Sequence, residues 1–185
     1  MNPGLTHALW FVVYVVMLVV AVWQDATVRR IPNRVVLSGA VAAMALSVLP
    51  GGTGFGNAVA GLVAGLVVLL PFYLLRVMGA GDVKLLAAVG AFVGFPGVFG
   101  VVLVTFLAGG LMSLVWAIRS RSLRAVLMNL RTGLSTGMGR VAGGSLPRDG
   151  DFPVSAVRVP YAFAIAAGAV AHGLLSNKFG WKNVF

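Results

Sequence analysis

Long apolar runs separated by short polar or glycine-rich connections make up most of the chain. A helix needs roughly 20 apolar residues to cross a bilayer, and fewer where it tilts or where its end residues snorkel. We therefore predict an all-α integral membrane protein, a bundle of about six transmembrane helices in a single domain over residues 1–185. The fourth run is the shortest, and a tilted or half-inserted helix would accommodate its length. The six runs lie at about Ala8–Trp23, Val35–Leu49, Asn57–Val77, Asp82 to the residue before Phe95-Pro96, Gly97–Ile118 and Val159–Leu175.

The composition agrees with a membrane domain and leaves no room for a separate soluble one. Of the 185 residues, 59% are hydrophobic and only 10% are charged, whereas a soluble domain carries about 25% charged residues. No basic residue precedes the first apolar run, which is also long enough to span. We therefore expect an uncleaved first helix and no signal peptide.

Basic residues are distributed unevenly along the chain, which has 14 Lys and Arg against 4 acidic residues. All of them except Lys178 and Lys182 fall in or beside the connections between runs one and two, three and four, and five and six. Lys and Arg accumulate in cytoplasmic loops, so these connections are predicted to face the cytoplasm and both termini the outside. The same rule explains the net charge of +10 without a nucleic-acid partner, and it favours contact with anionic lipid headgroups.

The connection at residues 119–158 is the only long polar stretch. Part of it has leucines and valines at helical spacing with arginines between them, which predicts a basic amphipathic helix on the inner leaflet. A role in gating the substrate is the alternative. The glycine-rich remainder is predicted to be a flexible tail of the loop. The apolar positions are Leu123, Val126, Leu127, Leu130 and Leu134.

Two acidic residues, Asp25 and Asp82, lie where apolar runs meet the predicted cytoplasmic boundary. Ionisable groups at membrane depth are costly and therefore indicate function. Each also has a purely structural explanation. Asp82 could cap the N-terminus of helix four, and Asp25 could form an ion pair with Arg29 or Arg30.

The topology predicts that Asp25 and Asp82 share one depth, because helix one runs inward and helix four runs outward. Two adjacent carboxyl groups share one proton, as in aspartic proteases, where one takes a proton from water and the other donates to the peptide carbonyl. The chain lacks the residues that other catalytic chemistries would need near the two acids, because it has no cysteine and because His7 and His172 lie near the opposite face. We therefore predict no metal site and no cofactor.

Three segments carry a family resemblance: Asp25-Ala-Thr-Val-Arg-Arg-Ile-Pro-Asn33, Gly79-Ala-Gly-Asp-Val-Lys-Leu85 and Val159-Pro-Tyr-Ala-Phe-Ala164. In this order they resemble the motifs of the prepilin (type IV leader) peptidases. The resemblance implies that Asp25 and Asp82 are the catalytic pair. It implies supporting roles for Pro32, Asn33, Gly79, Gly81, Lys84 and Tyr161.

The resemblance also implies a substrate and a location. Members of this family remove a short basic leader from pilin-like precursors at the cytoplasmic face of a bacterial or archaeal membrane, for assembly of type IV pili or for protein secretion. The short, cysteine-free chain is most similar to the Flp/Tad pilus and preflagellin peptidases, so N-methyltransferase activity is not expected. Apart from the resemblance, the four acidic residues, Asp149 and Asp151 among them, or backbone groups are candidates for receiving the basic leader. The oligomeric state does not follow from the sequence.

Two other functions compete with this interpretation. A presenilin-like intramembrane protease also uses Gly-x-Gly-Asp, but this chain lacks that group's Pro-Ala-Leu motif and has Gln24 where a Tyr usually precedes the first aspartate. A small transporter or an assembly scaffold would use Asp25 and Asp82 for protons or ion pairs. In that case Asp→Asn changes would alter transport or assembly with no loss of proteolysis.

Overall fold

The computed structural model describes residues 3–74, 78–121 and 161–179, together with single residues scattered between positions 123 and 144. Within these ranges the chain is all-helical, as predicted, and six helices form the bundle. They are α1 (Pro3–Val28), α2 (Asn33–Ser47), α3 (Phe55–Leu74), α4 (Ala80–Val93), α5 (Gly97–Arg119) and α6 (Ala162–Phe179).

Three of the described helices are long and apolar enough to cross a membrane: α1, α3 and α5. Their outward faces expose large apolar side chains such as Phe11, Leu103 and Leu107, as expected of surfaces that face lipid. Helices α2 and α6 are shorter apolar segments, and α4 has 14 residues. The chain is therefore a multi-pass membrane protein, whereas six complete crossings remain a prediction.

Helix α1 is longer than the predicted Ala8–Trp23 and runs on to Val28. The Thr27 hydroxyl donates a hydrogen bond to the Trp23 carbonyl oxygen at 2.8 Å, within the added turn. The helix ends where Arg29 adopts a left-handed backbone conformation with φ of 54°. Asp25 therefore lies inside the last turns of α1 and not beyond its end.

Helix α4 is the central element of the bundle. From Val83 to Phe92 every side chain except Lys84 is buried, because α4 contacts all five other helices. Small and branched apolar residues fill this stretch, which allows neighbours to pack on every side of the helix. The first turn of α4, which carries Asp82, is thereby held at a fixed place relative to α1 and α6.

Glycines allow α3 and α4 to approach closely, as the small-residue pair Gly61 and Gly65 predicts. A Cβ atom added at Gly61 would overlap the carbonyl oxygen of Gly90 on α4. A Cβ atom at Gly65 would lie 2.6 Å from the carbonyl oxygen of Leu86. The two backbones are therefore in direct contact, which fixes the position of α4 against α3.

The 119–158 connection is only partly described. Most positions of its predicted amphipathic helix, including Val126, Leu127, Leu130 and Leu134, lie outside the described residues, as do Asp149 and Asp151.

Candidate active site

Asp25 is buried near the C-terminal end of α1, with 9% of its surface exposed. Its Oδ2 atom accepts a hydrogen bond from the backbone N–H of Ala162 at 3.0 Å. The dipole of α1 disfavours an anion at this end, but Ala162 is the first residue of α6, whose N-terminus favours one. The ion pair with Arg29 or Arg30 does not form within the described part of the chain, where both arginines are exposed.

Asp82 is half-buried in the first turn of α4. The backbone N–H of Asp82 donates to the Gly79 carbonyl oxygen at 3.2 Å, and no side-chain hydrogen bond caps the start of the helix. A carboxylate in the first turn nevertheless complements the positive end of the helix dipole. The group also lies within electrostatic range of Asp25.

The start of α6 contacts Asp25 and lies within electrostatic range of Asp82. The main chain of Ala162 binds Asp25, and the phenol of Tyr161 lies within electrostatic range of Asp82. The Tyr161 carbonyl oxygen accepts hydrogen bonds from the N–H groups of Ala164 and Ile165, so Tyr161 caps α6 and the helix holds it in place. The neighbouring Pro160 of the same motif lies outside the described residues.

The motif glycines leave space at two places in the site. A Cβ atom at Gly81 would lie 3.2 Å from the Cβ atom of Ile31, in the connection between α1 and α2. A Cβ atom at Gly79 would lie 3.3 Å from Oδ2 of Asp82. Gly81 therefore lets the first motif pack against the second, and Gly79 leaves room beside the carboxylate.

Lys84 contacts the first motif. Its Nζ atom donates a hydrogen bond to Oδ1 of Asn33 at 3.0 Å, which ties the start of α4 to the start of α2. Pro32 precedes α2 in an extended conformation and Asn33 is its first residue, two residues before the predicted start at Val35. An ion pair between Lys84 and Asp82 is absent from the contacts of the described residues.

Replacing Lys84 by Met is expected to lower the free energy of unfolding by less than about 1 kcal/mol, because the lost hydrogen bond is exposed to solvent. Thermal unfolding in detergent would measure this, with Arg34→Met as the matched loss of an exposed cation nearby. Because the two side chains are in contact, the effects of Lys84→Met and Asn33→Ala are expected to be non-additive when the two changes are combined. Additive losses would contradict it.

The described residues define a helical, multi-pass membrane protein in which one end of the bundle brings together two carboxyl groups, a phenol and a helix N-terminus. They contain no group of three His, Cys, Asp or Glu side chains that could hold a metal ion.

Comparison with known proteins identifies the family. The sequence model of the type IV leader peptidase family matches residues 12–114, which is more than half of the chain. The chain therefore belongs to the type IV leader peptidase family, as its motifs indicate, and is a peptidase for which pilin-like precursors are the general class of substrate. The match includes Asp25 and Asp82 but ends before Tyr161. No curated protein and no solved structure matches the chain.

Sequence reasoning missed two residues of this region. Ala162 acts through its backbone N–H, a group that nearly every residue type provides, so no sequence signal could have revealed it. Gly109 on α5 lies directly against the ring of Tyr161. The Gly109-Gly110 pair in the middle of an apolar helix was a usable signal, because glycine inside a membrane helix indicates close packing.

Proposed function

We propose that the protein is a membrane aspartyl endopeptidase that uses Asp25 and Asp82 to activate water. The observation that carries this proposal is that the Ala162 N–H at the start of α6 binds Asp25, while Asp82 lies within electrostatic range of both Asp25 and Tyr161. Helices α1 and α4 supply these two carboxyl groups from positions far apart in sequence. Cap or ion-pair roles alone would not require the two acids to lie near each other and near a third polar group. The family membership supports the same conclusion.

In the proposed reaction a water molecule binds between Asp25 and Asp82, which share one proton. The ionised carboxylate takes a proton from the water as its oxygen attacks the scissile carbonyl carbon, and the protonated one donates to the carbonyl oxygen. The tetrahedral intermediate then collapses with the roles reversed. The carboxyl group that took the proton from water gives it to the leaving nitrogen as the C–N bond breaks, and the other carboxylate takes a proton from a hydroxyl group of the intermediate. The Ala162 N–H holds the Asp25 carboxyl group in place during these steps.

The proposed substrates are pilin-like precursors, cut after a short basic leader at the cytoplasmic face. The basic connections support this orientation, with six crossings and both termini outside. Arg29, Arg30 and Arg34 are proposed to contact anionic lipid headgroups, while Asp149 and Asp151 receive the leader. The absence of cysteine from the sequence supports a short Flp/Tad or preflagellin type that does not methylate the new N-terminus.

The test is cleavage of a purified pilin-like precursor by the purified protein in lipid, with the new N-terminus located by mass spectrometry. Wild type is expected to cut at the junction of the leader and the apolar helix, and the Asp25→Asn, Asp82→Asn double variant is expected to be inactive. A cut within the apolar helix would favour the presenilin-like alternative. Equal cleavage by both proteins would exclude the aspartyl mechanism.

A further inference from the structure

Tyr161 and Ala162 lie at the start of α6, beside the acidic pair. Ala162 donates its backbone N–H to Asp25 at 3.0 Å, which places the adjacent Tyr161 near the pair, and the phenol of Tyr161 lies within electrostatic range of Asp82. The geometry of the pair therefore depends on where this short segment sits. The preceding connection is long, so the packing of α6 on its neighbours has to fix the position.

Helix α5 packs against the Tyr161 ring. Gly109 is buried on α5, opposite the half-buried Tyr161. A Cβ atom at Gly109 would lie 2.7 Å from Cε2 of the Tyr161 ring and 2.9 Å from both Cζ and the hydroxyl oxygen. Non-bonded carbon atoms pack at about 3.5–4.0 Å, so any side chain larger than hydrogen would force the ring to move.

A second glycine contact shows that α5 and α6 are packed closely over more than one turn. A Cβ atom at Gly168 of α6 would lie 2.7 Å from the backbone carbonyl oxygen of Val101 on α5. Because backbone is in contact there, α6 cannot shift as a whole to accommodate a larger residue at Gly109. The Tyr161 side chain, which is the movable partner, would have to swing away instead.

We propose that Gly109 is a positioning residue of the active site, which reserves the space in which the Tyr161 ring lies and so fixes the Tyr161 hydroxyl as a hydrogen-bond donor beside the catalytic pair. The proposal rests on the proposed peptidase function. It predicts that the hydroxyl contributes to the chemical step and that Gly109 acts only through it.

The chain offers a matched control one residue away. Gly110 lies on the same helix, is exposed, and has nothing within 4 Å of an added Cβ atom. Gly→Ala raises helix propensity equally at both positions. Gly109→Ala is expected to lower kcat for precursor cleavage roughly tenfold to hundredfold with KM little changed, and Gly110→Ala is expected to leave both unchanged. Equal kcat values for the two variants would overturn the proposal.

A double-mutant cycle separates positioning from a general packing effect. Tyr161→Phe keeps the ring and removes the hydroxyl, so it should lower kcat about as much as Gly109→Ala does. If Gly109 acts through the hydroxyl, adding Gly109→Ala to Tyr161→Phe causes little further loss. A multiplicative loss in the double variant would show that Gly109 acts by another route.

A third variant serves as the control for misfolding. Tyr161→Leu lacks the ring atoms that an alanine at 109 would meet, so it should restore the thermal unfolding midpoint of a destabilised Gly109→Ala protein without restoring kcat. A midpoint that stays low would contradict the contact. Cleavage that is unchanged by Asp25→Asn and Asp82→Asn would reject the peptidase mechanism itself. If cleavage does depend on the two aspartates, equal kcat values for Gly109→Ala and Gly110→Ala would reject this inference alone.

Discussion

Asp82→Asn and Asp25→Asn are each expected to lower kcat for leader cleavage by about 10⁴-fold or more, because neither variant can share the proton that the mechanism needs. The fold should survive both changes. An Asn oxygen can still accept the hydrogen bond that Ala162 donates at position 25, and Asn at position 82 keeps the size of the half-buried side chain. Initial rates over a range of precursor concentrations would measure kcat and KM.

The matched control for these variants is the same substitution at Asp149 and Asp151. If the leader binds there, Asp149→Asn and Asp151→Asn raise KM and leave kcat intact. Thermal unfolding midpoints close to that of wild type would confirm that Asp25→Asn and Asp82→Asn are folded. Substantial cleavage by either single variant would mean that the two carboxyl groups are not the catalytic pair.

Gly61→Ala is expected to lower the free energy of unfolding by about 2–3 kcal/mol or more. The added methyl group would overlap the backbone carbonyl oxygen of Gly90, and backbone in a packed helix cannot turn aside as a side chain can. Thermal unfolding of the protein in detergent would measure the loss.

Gly56→Ala is the control for this prediction. Gly56 lies on the same helix, α3, with nothing within 4 Å of an added Cβ atom. Its substitution should be neutral or slightly stabilising, because alanine has the higher helix propensity. Similar midpoints for Gly61→Ala and Gly56→Ala would show that α3 and α4 are not in backbone contact.

Apolar run length predicted the helices well, because each run is bounded by Pro, Gly or charge. The limits of α2 to α5 follow the predicted ones within a few residues. The prediction for α1 was wrong at its C-terminal end, since polar residues such as Gln24 and Asp25 looked like a boundary. A helix can carry polar residues beyond the apolar zone, and hydropathy alone does not show where its hydrogen bonds end.

Asp25 and Asp82 stay a predicted catalytic pair, and the sequence singles them out because carboxylates are scarce in this chain. The contacts around them could not be predicted. The hydrogen bond from Ala162 to Asp25 joins residues 137 positions apart, and no periodicity encodes it. Likewise, the sequence does not show which side chain Lys84 contacts, and only the packing of α2 against α4 selects Asn33.

The length and environment of α4 have a consequence for how the protein is made. At 14 residues it is about 21 Å long, shorter than the roughly 30 Å hydrocarbon layer, and it begins with an acid and a lysine. Such a segment, taken alone, gains little free energy when it moves from the translocation channel into lipid. Its glycine-lined partner α3 is the preceding helix, so we expect the two to enter the membrane together as a hairpin, with Asp82 sheltered from lipid before the site assembles.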